Sequence, residues 1–512
     1  MNVRFLFLLF FSGMIEGDHY GVGRVEAFSA TLNSKTLSSP SSLSASLGQS
    51  IQTIRTVNEG LELASQFWLP KDENLPSHYR TQAIHHETRQ RWAGQLLQKL
   101  EQVTEDSPIS PVHDERFSRL VLAASIPFEG QAHDPDMIQN DKQKKKEQQA
   151  LMEALQALHG LIGRAYHHRQ EEEEEQLEDR LPAETIQGIQ QLMTRALAWN
   201  PTTYSLDLAC ELCWSIEGLQ ACLPSTATDT ANMQQLTQRT SQLPFQILRN
   251  AISWNEILPS LDTLLHAIPF SNDQIITRHG TAVQERRGTA WLVQSESGIG
   301  ALAYSGKLMT PKPMPELVEQ VMHRVEEKIG VLGTSFDCAL CNHYADATAA
   351  CKFHTDPEHG SHWDRTTVVV AAGSDRKFAF KPIPSITTWQ EWDDTAPSTL
   401  QQEEASNTAA VTHLFAGDLV VMTDTCNDDF YHAVHAGRNN DPRISLVFKR
   451  AIERGGTKGH GLAGQGRRRR RRVQTTAKST AEGNNYTNNS KSRHRQRRQS
   501  LSNTRKKKTR RS

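Results

Sequence analysis

The hydrophobic periodicity of this chain changes near Pro269, and that change constrains the fold more than any other feature. From about residue 59 to residue 268, apolar residues recur every three or four positions, which is typical of amphipathic helices. One such stripe consists of Leu151, Leu155, Leu158 and Ile162. Beyond Pro269 the apolar residues cluster in short β-branched and aromatic runs, which predict strands. We therefore expect an α+β protein in which a helical domain precedes a sheet domain.

Five segments of the second half are predicted strands, with turn-forming residues between them. They are residues 336–343, 366–371, 378–381, 418–422 and 444–448. Gly373 and Gly417 stand where an antiparallel sheet needs tight reversals. A helix over 315–328 precedes the strands, and the acidic stretch 388–408 is expected to be an exposed loop. This pattern favours an all-β barrel or a jelly roll.

The C-terminal tail differs sharply in charge from the rest of the chain. Residues 451–512 hold 20 Lys and Arg against 2 Asp and Glu, so the tail is near +18 while the residues before it are near −19. Such a sequence cannot bury enough apolar surface to fold alone, and we predict a disordered basic tail over 452–512. It acts either as a nuclear localisation signal or as a sequence-independent attraction for phosphate groups, and the two roles can coexist.

The N-terminal residues have the composition of a targeting leader. Arg4 precedes an apolar run over 5–11, and small residues follow near Ala27 at plausible cleavage positions. Residues 28–58 contain no acidic residue and are rich in serine, as transit peptides are. We predict a disordered leader over 1–58 that resembles those of algae with complex plastids, the alternative being a leader without a targeting role. The leader indicates a plastid or another organelle and the tail indicates the nucleus, so the compartment stays open.

Seven cysteines, an odd number spread over 512 residues, do not match a disulfide scaffold, and we expect reduced thiols. Cys338 and Cys341 lie three apart on a predicted strand and would diverge rather than bind one zinc ion. Cys210, Cys213 and Cys222 lack a second closely spaced pair, so buried thiols are favoured over structural zinc there too. No run approaches the roughly 20 apolar residues of a spanning helix, so we expect no stable membrane insertion.

His354-Thr355-Asp356 is the central chemical feature of the sequence. Two side chains at i and i+2 of a strand point to the same face and can bind one metal ion, and His432 lies on a later strand. Two His and one carboxylate form the facial triad of non-haem Fe(II) oxygenases. We therefore predict His354, Asp356 and His432 as metal ligands. His435 lies on the opposite face of its strand and is the less favoured alternative to His432.

Arg443 and Lys449 also share one face of a predicted strand, because they are six positions apart. Two cations in this arrangement could bind a dicarboxylate, and the planar guanidinium suits a bidentate carboxylate contact. Without the neighbouring triad, a solvated face of an edge strand would be the preferred interpretation. His343, His359 and His362 flank the triad and are expected to be polar residues at the rim rather than ligands.

Together these residues resemble the AlkB-type 2-oxoglutarate- and Fe(II)-dependent dioxygenases, the oxidative demethylases of alkylated nucleic acids. The resemblance covers roughly residues 252–451. Seven elements carry it in order: Tyr304-Ser305-Gly306-Lys307, Pro311-Lys312-Pro313, Asn342-His343-Tyr344, His354-Thr355-Asp356-Pro357-Glu358, the segment 417–422, Tyr431-His432, and the segment from Arg443 to Lys449. The implied organisation is a leader (1–58), a helical domain (59–251), a dioxygenase domain (252–451) with a double-stranded β-helix (jelly-roll) fold, and a basic tail (452–512).

The resemblance also implies roles for individual residues. Asn342 and Tyr344 would contact 2-oxoglutarate and Arg443 would bind its distal carboxylate, with Lys449 as the second cation of the cosubstrate site. Glu358 would contact the target base, the alternative being a rim carboxylate paired with a basic residue such as Arg365, and Tyr304 is a further substrate-binding candidate. Ser445 and Lys449 depart from the Asn and Arg that the family usually has, so a different cosubstrate affinity or substrate class is expected.

The activity implied by the resemblance is oxidative demethylation of N-alkylated bases in DNA or RNA. Fe(II), with 2-oxoglutarate and O2 as cosubstrates, would hydroxylate an N-alkyl carbon, and the product would collapse to release an aldehyde. Reaching such a carbon in a duplex requires extrusion of the base, whereas a single strand avoids that cost. The alternatives are a 2-oxoglutarate-dependent hydroxylase or demethylase of protein side chains, and a non-catalytic nucleic-acid-binding module.

Overall fold

A computed structural model describes most of the chain between residues 51 and 452. The described ranges are 51–67, 86–104, 111–125, 141–170, 181–226, 230–252, 258–276, 280–304, 307–330, 335–356, 359–393, 408–437 and 440–452. The predicted disorder of residues 1–50 and 453–512 lies outside the described residues, as does most of the predicted loop 388–408. The end of the predicted leader is part of the folded structure, because Ile51, Ile54 and Val57 are buried against the helices.

The N-terminal half of the described chain is helical, as its periodicity predicts. Its helices are α1 (Val57–Phe67), α2 (His86–Thr104), α3 (Glu115–Ser125), α4 (Asp141–Gln170), α5 (Ala183–Ala198), α6 (Leu206–Cys222) and α7 (Ala231–Thr240). The stripe formed by Leu151, Leu155, Leu158 and Ile162 is buried along α4. Helix α4 packs against α2, α5 and α6, and these helices form one layer.

The second half contains fifteen strands and three further helices within the described residues. The strands are β1 (Phe245–Leu248), β2 (Gln274–Ile276), β3 (Ala282–Gln284), β4 (Gly288–Val293), β5 (Leu302–Tyr304), β6 (Lys307–Met309), β7 (Lys312–Pro313), β8 (Cys338–Tyr344), β9 (Cys351–His354), β10 (Thr367–Gly373), β11 (Arg376–Pro382), β12 (Ala410–Leu414), β13 (Leu419–Met422), β14 (Phe430–Val434) and β15 (Arg443–Lys449). The helices are α8 (Leu261–Ala267), α9 (Glu316–Ile329) and the short α10 (Cys426–Asp429). The five predicted strands and the predicted helix 315–328 are all confirmed.

The strands form a large and a small sheet. The large sheet has the order β1-β13-β10-β15-β8-β4-β7 and is antiparallel except for the β4–β7 pair. The small sheet, also antiparallel, has the order β12-β11-β14-β9. Strands β2 and β3 form one separate two-stranded sheet, and β5 and β6 form another. The predicted α+β class is confirmed.

The two main sheets face each other across an apolar core. Phe245 of the large sheet stacks on Phe380 of the small sheet, with ring centroids 3.8 Å apart and planes 7° apart. Helix α9 covers the other face of the large sheet with a stripe of buried residues that includes Val318, Val321 and Val325. The helical layer packs on the small sheet, where Glu211 of α6 accepts a hydrogen bond from the Val411 amide at 2.8 Å.

Glycine permits the two sharp reversals that the sequence predicts. Gly373 ends β10 with φ of +82°, and a Cβ there would lie 2.7 Å from the Pro442 carbonyl oxygen. Gly417 joins β12 to β13 with φ of +87°, and a Cβ there would lie 2.3 Å from the Ile252 carbonyl oxygen. Any L side chain would therefore be strained at both positions.

The helical layer and the two sheets belong to one compact unit. Many of the buried residues of helices and sheets form a single hydrophobic cluster. The predicted division at residue 252 stays a prediction, although the chain already enters the large sheet at β1 (Phe245–Leu248). None of the helices in the described ranges combines the length and the apolar character needed to cross a membrane.

Candidate active site

Three polar side chains meet at the end of the small sheet that β9 and β14 form. His354 is the last residue of β9, and it pairs in register with His432 of β14. Asp356 follows β9 by two residues. One ligand atom from each of the three residues lies within 4.8 Å of the others. Among the described residues, this is the group of His, Cys, Asp and Glu that could hold a metal ion.

The donor atoms of the three side chains converge. Oδ1 of Asp356 lies 3.6 Å from Nε2 of His354 and 3.8 Å from Nε2 of His432. Nδ1 of His354 lies 2.8 Å from the Lys352 carbonyl oxygen, so this nitrogen carries the hydrogen and the Nε2 lone pair is left for a metal ion. His435, the alternative ligand, is outside the cluster and contacts Phe353 instead, with ring centroids 6.1 Å apart.

The second oxygen of Asp356 belongs to a buried polar network. Nζ of Lys449 donates to Oδ2 of Asp356 at 2.6 Å and to Oγ1 of Thr367 at 3.1 Å. Nε2 of His359 lies 3.2 Å from the same Nζ, and its side chain is 4% exposed rather than at the rim. The side-chain oxygen of Asn427 accepts a hydrogen bond from the Asp356 amide at 2.8 Å. This network fixes the orientation of the carboxylate.

The electrostatics of the cluster favour binding of a divalent cation. Burial would raise the pKa of Asp356, but the Lys449 ammonium and the neighbouring histidines hold it well below its usual range. Burial and the neighbouring His354 lower the pKa of His432 to about 3, so this imidazole is neutral. Burial alone would lower the pKa of His354, but the Asp356 carboxylate and the Cys351 thiol raise it to about 10. A metal ion would replace the proton on His354.

These residues fit Fe(II). Two imidazole nitrogens and one carboxylate oxygen on one side of an ion leave positions open for a bidentate cosubstrate and for O2. The convergence of the three ligand atoms within 4.8 Å is the observation that carries this fit.

A second set of polar side chains lies on the large sheet, on the neighbouring strands β8 and β15. Arg443 pairs in register with Tyr344, and Ser445 pairs with Asn342. Directly paired residues project from the same face, so these four side chains share the face that also carries Lys449. Oδ1 of Asn342 and Oγ of Ser445 are both buried without hydrogen-bond partners in the described structure.

Arg443 is a buried cation with unused donors. Its side chain is fully buried, and Nη1 donates to the Leu414 carbonyl oxygen at 3.2 Å. Nε and Nη2 have no hydrogen-bond partner in the part of the chain that the structure describes. Burial lowers the pKa of Arg443 to about 10, so the side chain is still cationic at neutral pH. A carboxylate would satisfy these donors. At the other end of β15, Lys449 donates to the predicted metal ligand Asp356.

The other predicted site residues are less completely described. Tyr304 is the last residue of β5, and the structure describes its backbone but not its side chain. Glu358 lies outside the described residues. Cys338 and Cys341 are buried free thiols on β8, and Cys210, Cys213 and Cys222 are buried free thiols in the helical layer. These cysteines are absent from the one candidate metal group found among the described residues.

Sequence reasoning missed four polar residues that support the site. They are Cys351, Thr367 and Asn427, for which no role was predicted, and His359, which was expected at the rim. Thr367 and Asn427 reach the site from β10 and α10, which are distant in sequence. No local pattern marks such partners.

The fold and this site together define a non-haem iron oxygenase that uses a dicarboxylate cosubstrate. Residues 244–473 match the family model of the 2OG-Fe(II) oxygenase superfamily. The uncharacterized protein R406 of Acanthamoeba polyphaga mimivirus is 28% identical over 214 residues, which are 40% of this chain and 93% of that protein. A solved structure described as the structure of OsALKBH1 is 12% identical, covers 40% of this chain and 98% of its own, and superposes with a TM-score of 0.26.

The family match confirms the predicted class of enzyme, a 2-oxoglutarate- and Fe(II)-dependent dioxygenase. The cofactor of this class is Fe(II), and its cosubstrates are 2-oxoglutarate and O2.

Proposed function

We propose that this protein removes alkyl groups from nitrogen atoms of DNA or RNA bases by oxidation. In this proposal His354, Asp356 and His432 hold Fe(II), and Arg443 binds the distal carboxylate of 2-oxoglutarate. Asn342 and Tyr344 line the cosubstrate pocket. Lys449 orients Asp356 at the end of this pocket where the metal binds. The observation that carries the proposal is a converging His-Asp-His group together with a fully buried Arg443 whose Nη2 has no partner among the described residues.

The strand order supports a double-stranded β-helix as the catalytic scaffold. From β8 to β15 the chain passes to the opposite sheet at every step except one, the hairpin between β11 and β12. The pairs within β13-β10-β15-β8 and within β12-β11-β14-β9 are all antiparallel. Alternation of this kind produces two facing four-stranded sheets, as in a jelly roll.

When bound, Fe(II) supplies the oxidising chemistry: one atom of O2 enters a C–H bond and the other enters 2-oxoglutarate, which becomes succinate and CO2. The residues of the chain bind and orient. Asp356 offers Oδ1 to the metal because Lys449 occupies Oδ2. Arg443 lies in a water-excluded position, where a charge-assisted contact to a carboxylate is strong. A hydroxymethyl group on a base nitrogen then collapses to formaldehyde and the unmodified base.

Two features of the sequence support nucleic acid as the substrate. The ordered AlkB-type motifs include Glu358, which follows the metal ligand Asp356 by two positions. An ionised carboxylate accepts hydrogen bonds, so Glu358 would favour bases with an N–H donor or a cationic ring, such as 1-methyladenine or 3-methylcytosine. The 20 basic residues of 451–512 would attract phosphate groups and offset the acidic character of the preceding residues.

The experiment that tests the proposal measures which substrate stimulates succinate formation. The full-length protein is incubated with Fe(II), 2-oxoglutarate and O2, and with methylated single-stranded DNA, methylated RNA, or methylated histone peptides. Stimulation by a methylated oligonucleotide, but not by its unmethylated counterpart, supports the proposal. Stimulation by peptides alone indicates a protein oxygenase, and nucleic-acid binding without any succinate indicates a non-catalytic module.

A base-reading role of Glu358 has its own test. Glu358→Gln can both donate and accept, so it should lower activity on cationic methylated bases more than on neutral ones. Uncoupled conversion of 2-oxoglutarate should persist. An equal loss on all substrates would indicate damage to the metal site and would contradict the role.

A further inference from the structure

A buried cluster of charges joins the helical layer to the small sheet. Nη1 of Arg164 in α4 lies 3.3 Å from Oδ2 of Asp375, and Nδ1 of His413 lies 2.8 Å from the same oxygen. Nε2 of His413 lies 3.3 Å from Oε1 of Glu101 in α2, and Nζ of Lys377 lies 3.4 Å from it. Arg164 also donates to the Glu101 carbonyl oxygen at 3.1 Å. Glu101 and Arg164 belong to the helical layer, whereas Asp375, His413 and Lys377 lie in or next to strands of the small sheet. The cluster therefore joins the two layers.

These charges are removed from water. The side chains of Glu101, His413, Asp375 and Arg164 are between 4% and 16% exposed. Burial would raise the pKa of Asp375, but Arg164 and His413 hold it well below its usual range. Asp375 is therefore an ionised, desolvated carboxylate, and its field reaches further than that of a surface charge.

The cluster lies beside Arg443. The Leu414 carbonyl that accepts from Nη1 of Arg443 belongs to the residue after His413. Arg443 also pairs in register with Gly373, two residues before Asp375. A second carboxylate, Asp418, is paired with Nη1 of Arg249 at 2.8 Å. Burial lowers the pKa of Arg443 and Arg376 lowers it further, whereas Tyr344, Asp375 and Asp418 act in the opposite direction.

We propose that Arg164 is a positioning residue for the cosubstrate: its ion pair with Asp375 keeps that carboxylate from competing with 2-oxoglutarate for Arg443. The inference rests on the proposed role of Arg443 in the preceding section. Without Arg164, Asp375 would keep only its contact with His413, and its charge would attract the Arg443 guanidinium and repel the distal carboxylate of 2-oxoglutarate. The helical layer thereby contributes a residue to cosubstrate affinity without touching the cosubstrate.

The experiment measures binding rather than turnover. 2-Oxoglutarate is titrated by calorimetry into full-length protein loaded with Mn(II), for the wild type, Arg164→Gln, Arg164→Lys and the double variant Arg164→Gln/Asp375→Asn. We expect Arg164→Gln to weaken binding by about tenfold, the effect of one buried charge at an effective dielectric constant of about 20. Arg164→Lys should retain most of the affinity, and Asp375→Asn should restore it in the Arg164→Gln background.

Arg195 offers a matched control for general loss of stability. Its guanidinium pairs with Glu147 at 2.9 Å inside the same helical layer, and its side chain is 9% exposed. Arg195→Gln should lower the melting temperature as much as Arg164→Gln does and leave the affinity for 2-oxoglutarate unchanged. If Arg164→Gln is too unstable to titrate, Lys377→Gln replaces it, because Lys377 is one-third exposed and compensates Glu101 in the same cluster. The affinity of Lys377→Gln for 2-oxoglutarate should fall two- to threefold, which is a smaller loss than that expected for Arg164→Gln.

Two outcomes would overturn the inference. The first is an unchanged affinity for 2-oxoglutarate in Arg164→Gln or, if that variant cannot be titrated, in Lys377→Gln. The second is a weakened affinity that Asp375→Asn fails to restore. Arg443→Gln separates this result from a failure of the proposed function. If Arg443→Gln loses affinity and Arg164→Gln does not, the role of Arg164 is wrong and the cosubstrate site stands. If neither variant responds, the assignment of Arg443 itself is wrong.

Discussion

Nζ of Lys449 lies 2.6 Å from Oδ2 of Asp356, while Oδ1 of the same carboxylate lies 3.6 Å from Nε2 of His354. One carboxylate thus has two separate functions, because one oxygen is held by the protein and the other faces the metal position. Lysine is therefore adequate at this position. A single ammonium is sufficient to occupy one oxygen.

Lys449→Met removes this contact while keeping the length of the side chain. We expect the affinity for Fe(II) to fall by about tenfold or more, which is typical for loss of a group that orients a metal ligand. Lys449→Arg restores a cation and should be tolerated. Titration of Mn(II) monitored by electron paramagnetic resonance measures both variants, and equal affinities in wild type and Lys449→Met would refute the orienting role.

His354→Ala, Asp356→Ala and His432→Ala should each abolish succinate formation, because each removes a predicted metal ligand. The melting temperature of the metal-free protein should change little, since the side chains supply donors rather than core volume. His435→Ala is the matched control, because it removes a histidine from the same β-region outside the metal group. An active His432→Ala together with an inactive His435→Ala would reverse the ligand assignment.

Arg443→Ala should raise the Michaelis constant for 2-oxoglutarate by about one to two orders of magnitude, since it removes a buried, charge-assisted contact to a carboxylate. The rate at saturating 2-oxoglutarate should fall far less than the affinity. Initial rates over a range of 2-oxoglutarate concentrations give both values. An unchanged Michaelis constant would exclude Arg443 from the cosubstrate site.

Acidification should destabilise the interface between the helical layer and the small sheet. Burial lowers the pKa of His159 well below its usual range, and the residue is 2% exposed. The unfolded chain binds a proton near pH 6.5 that the folded chain excludes, so stability is lost as the pH falls below 6.5. His159 alone should account for about 2 kcal/mol between pH 7 and pH 5.

Urea denaturation at pH 7 and pH 5 tests this expectation. In His159→Leu the difference in unfolding free energy between the two pH values should shrink by that amount. His323→Leu is the control for replacing a histidine at an exposed position, because the His323 side chain is 60% exposed. An identical pH dependence in wild type and His159→Leu would mean that His159 has the same pKa in the folded and the unfolded chain.

Deletion of residues 457–512 tests the role of the basic tail. Turnover on a short single-stranded substrate should persist, whereas binding should weaken and depend less on salt. The slope of log affinity against log salt should decrease by about 0.7 for each lost phosphate contact to a single strand. An unchanged slope would leave the tail as a localisation signal alone.

The sequence predicted the strands and the triad because both follow local rules. Side chains at i and i+2 of an extended chain share a face, so His354 and Asp356 could be placed together from spacing alone, although β9 ends at His354. The pairing of His432 with His354 required the order of strands in the small sheet, which the family resemblance supplied and periodicity did not. Lys449 was predicted to share a face with Arg443, but its contact with Asp356 could not be predicted, because residues 93 positions apart meet there.

The contacts of the helical layer could be predicted even less completely from the sequence. Its helices were predicted from their apolar stripes, but nothing in that pattern indicates which face meets the small sheet. Arg164 and Asp375 are separated by 211 positions, and each sits in a segment with no motif. A buried ion pair between distant segments depends on the final packing, so only the folded structure reveals it.

The most direct test of the central claim is mass spectrometry of a single-stranded oligonucleotide that carries one 1-methyladenine or 3-methylcytosine. The oligonucleotide is incubated with the full-length protein, Fe(II), 2-oxoglutarate and O2, and succinate is quantified in the same sample. Our account predicts loss of the methyl group, with one succinate formed for each methyl group removed, and no reaction in the His432→Ala variant. Succinate formed without any change in DNA or RNA substrates, while a protein substrate is hydroxylated, would contradict it.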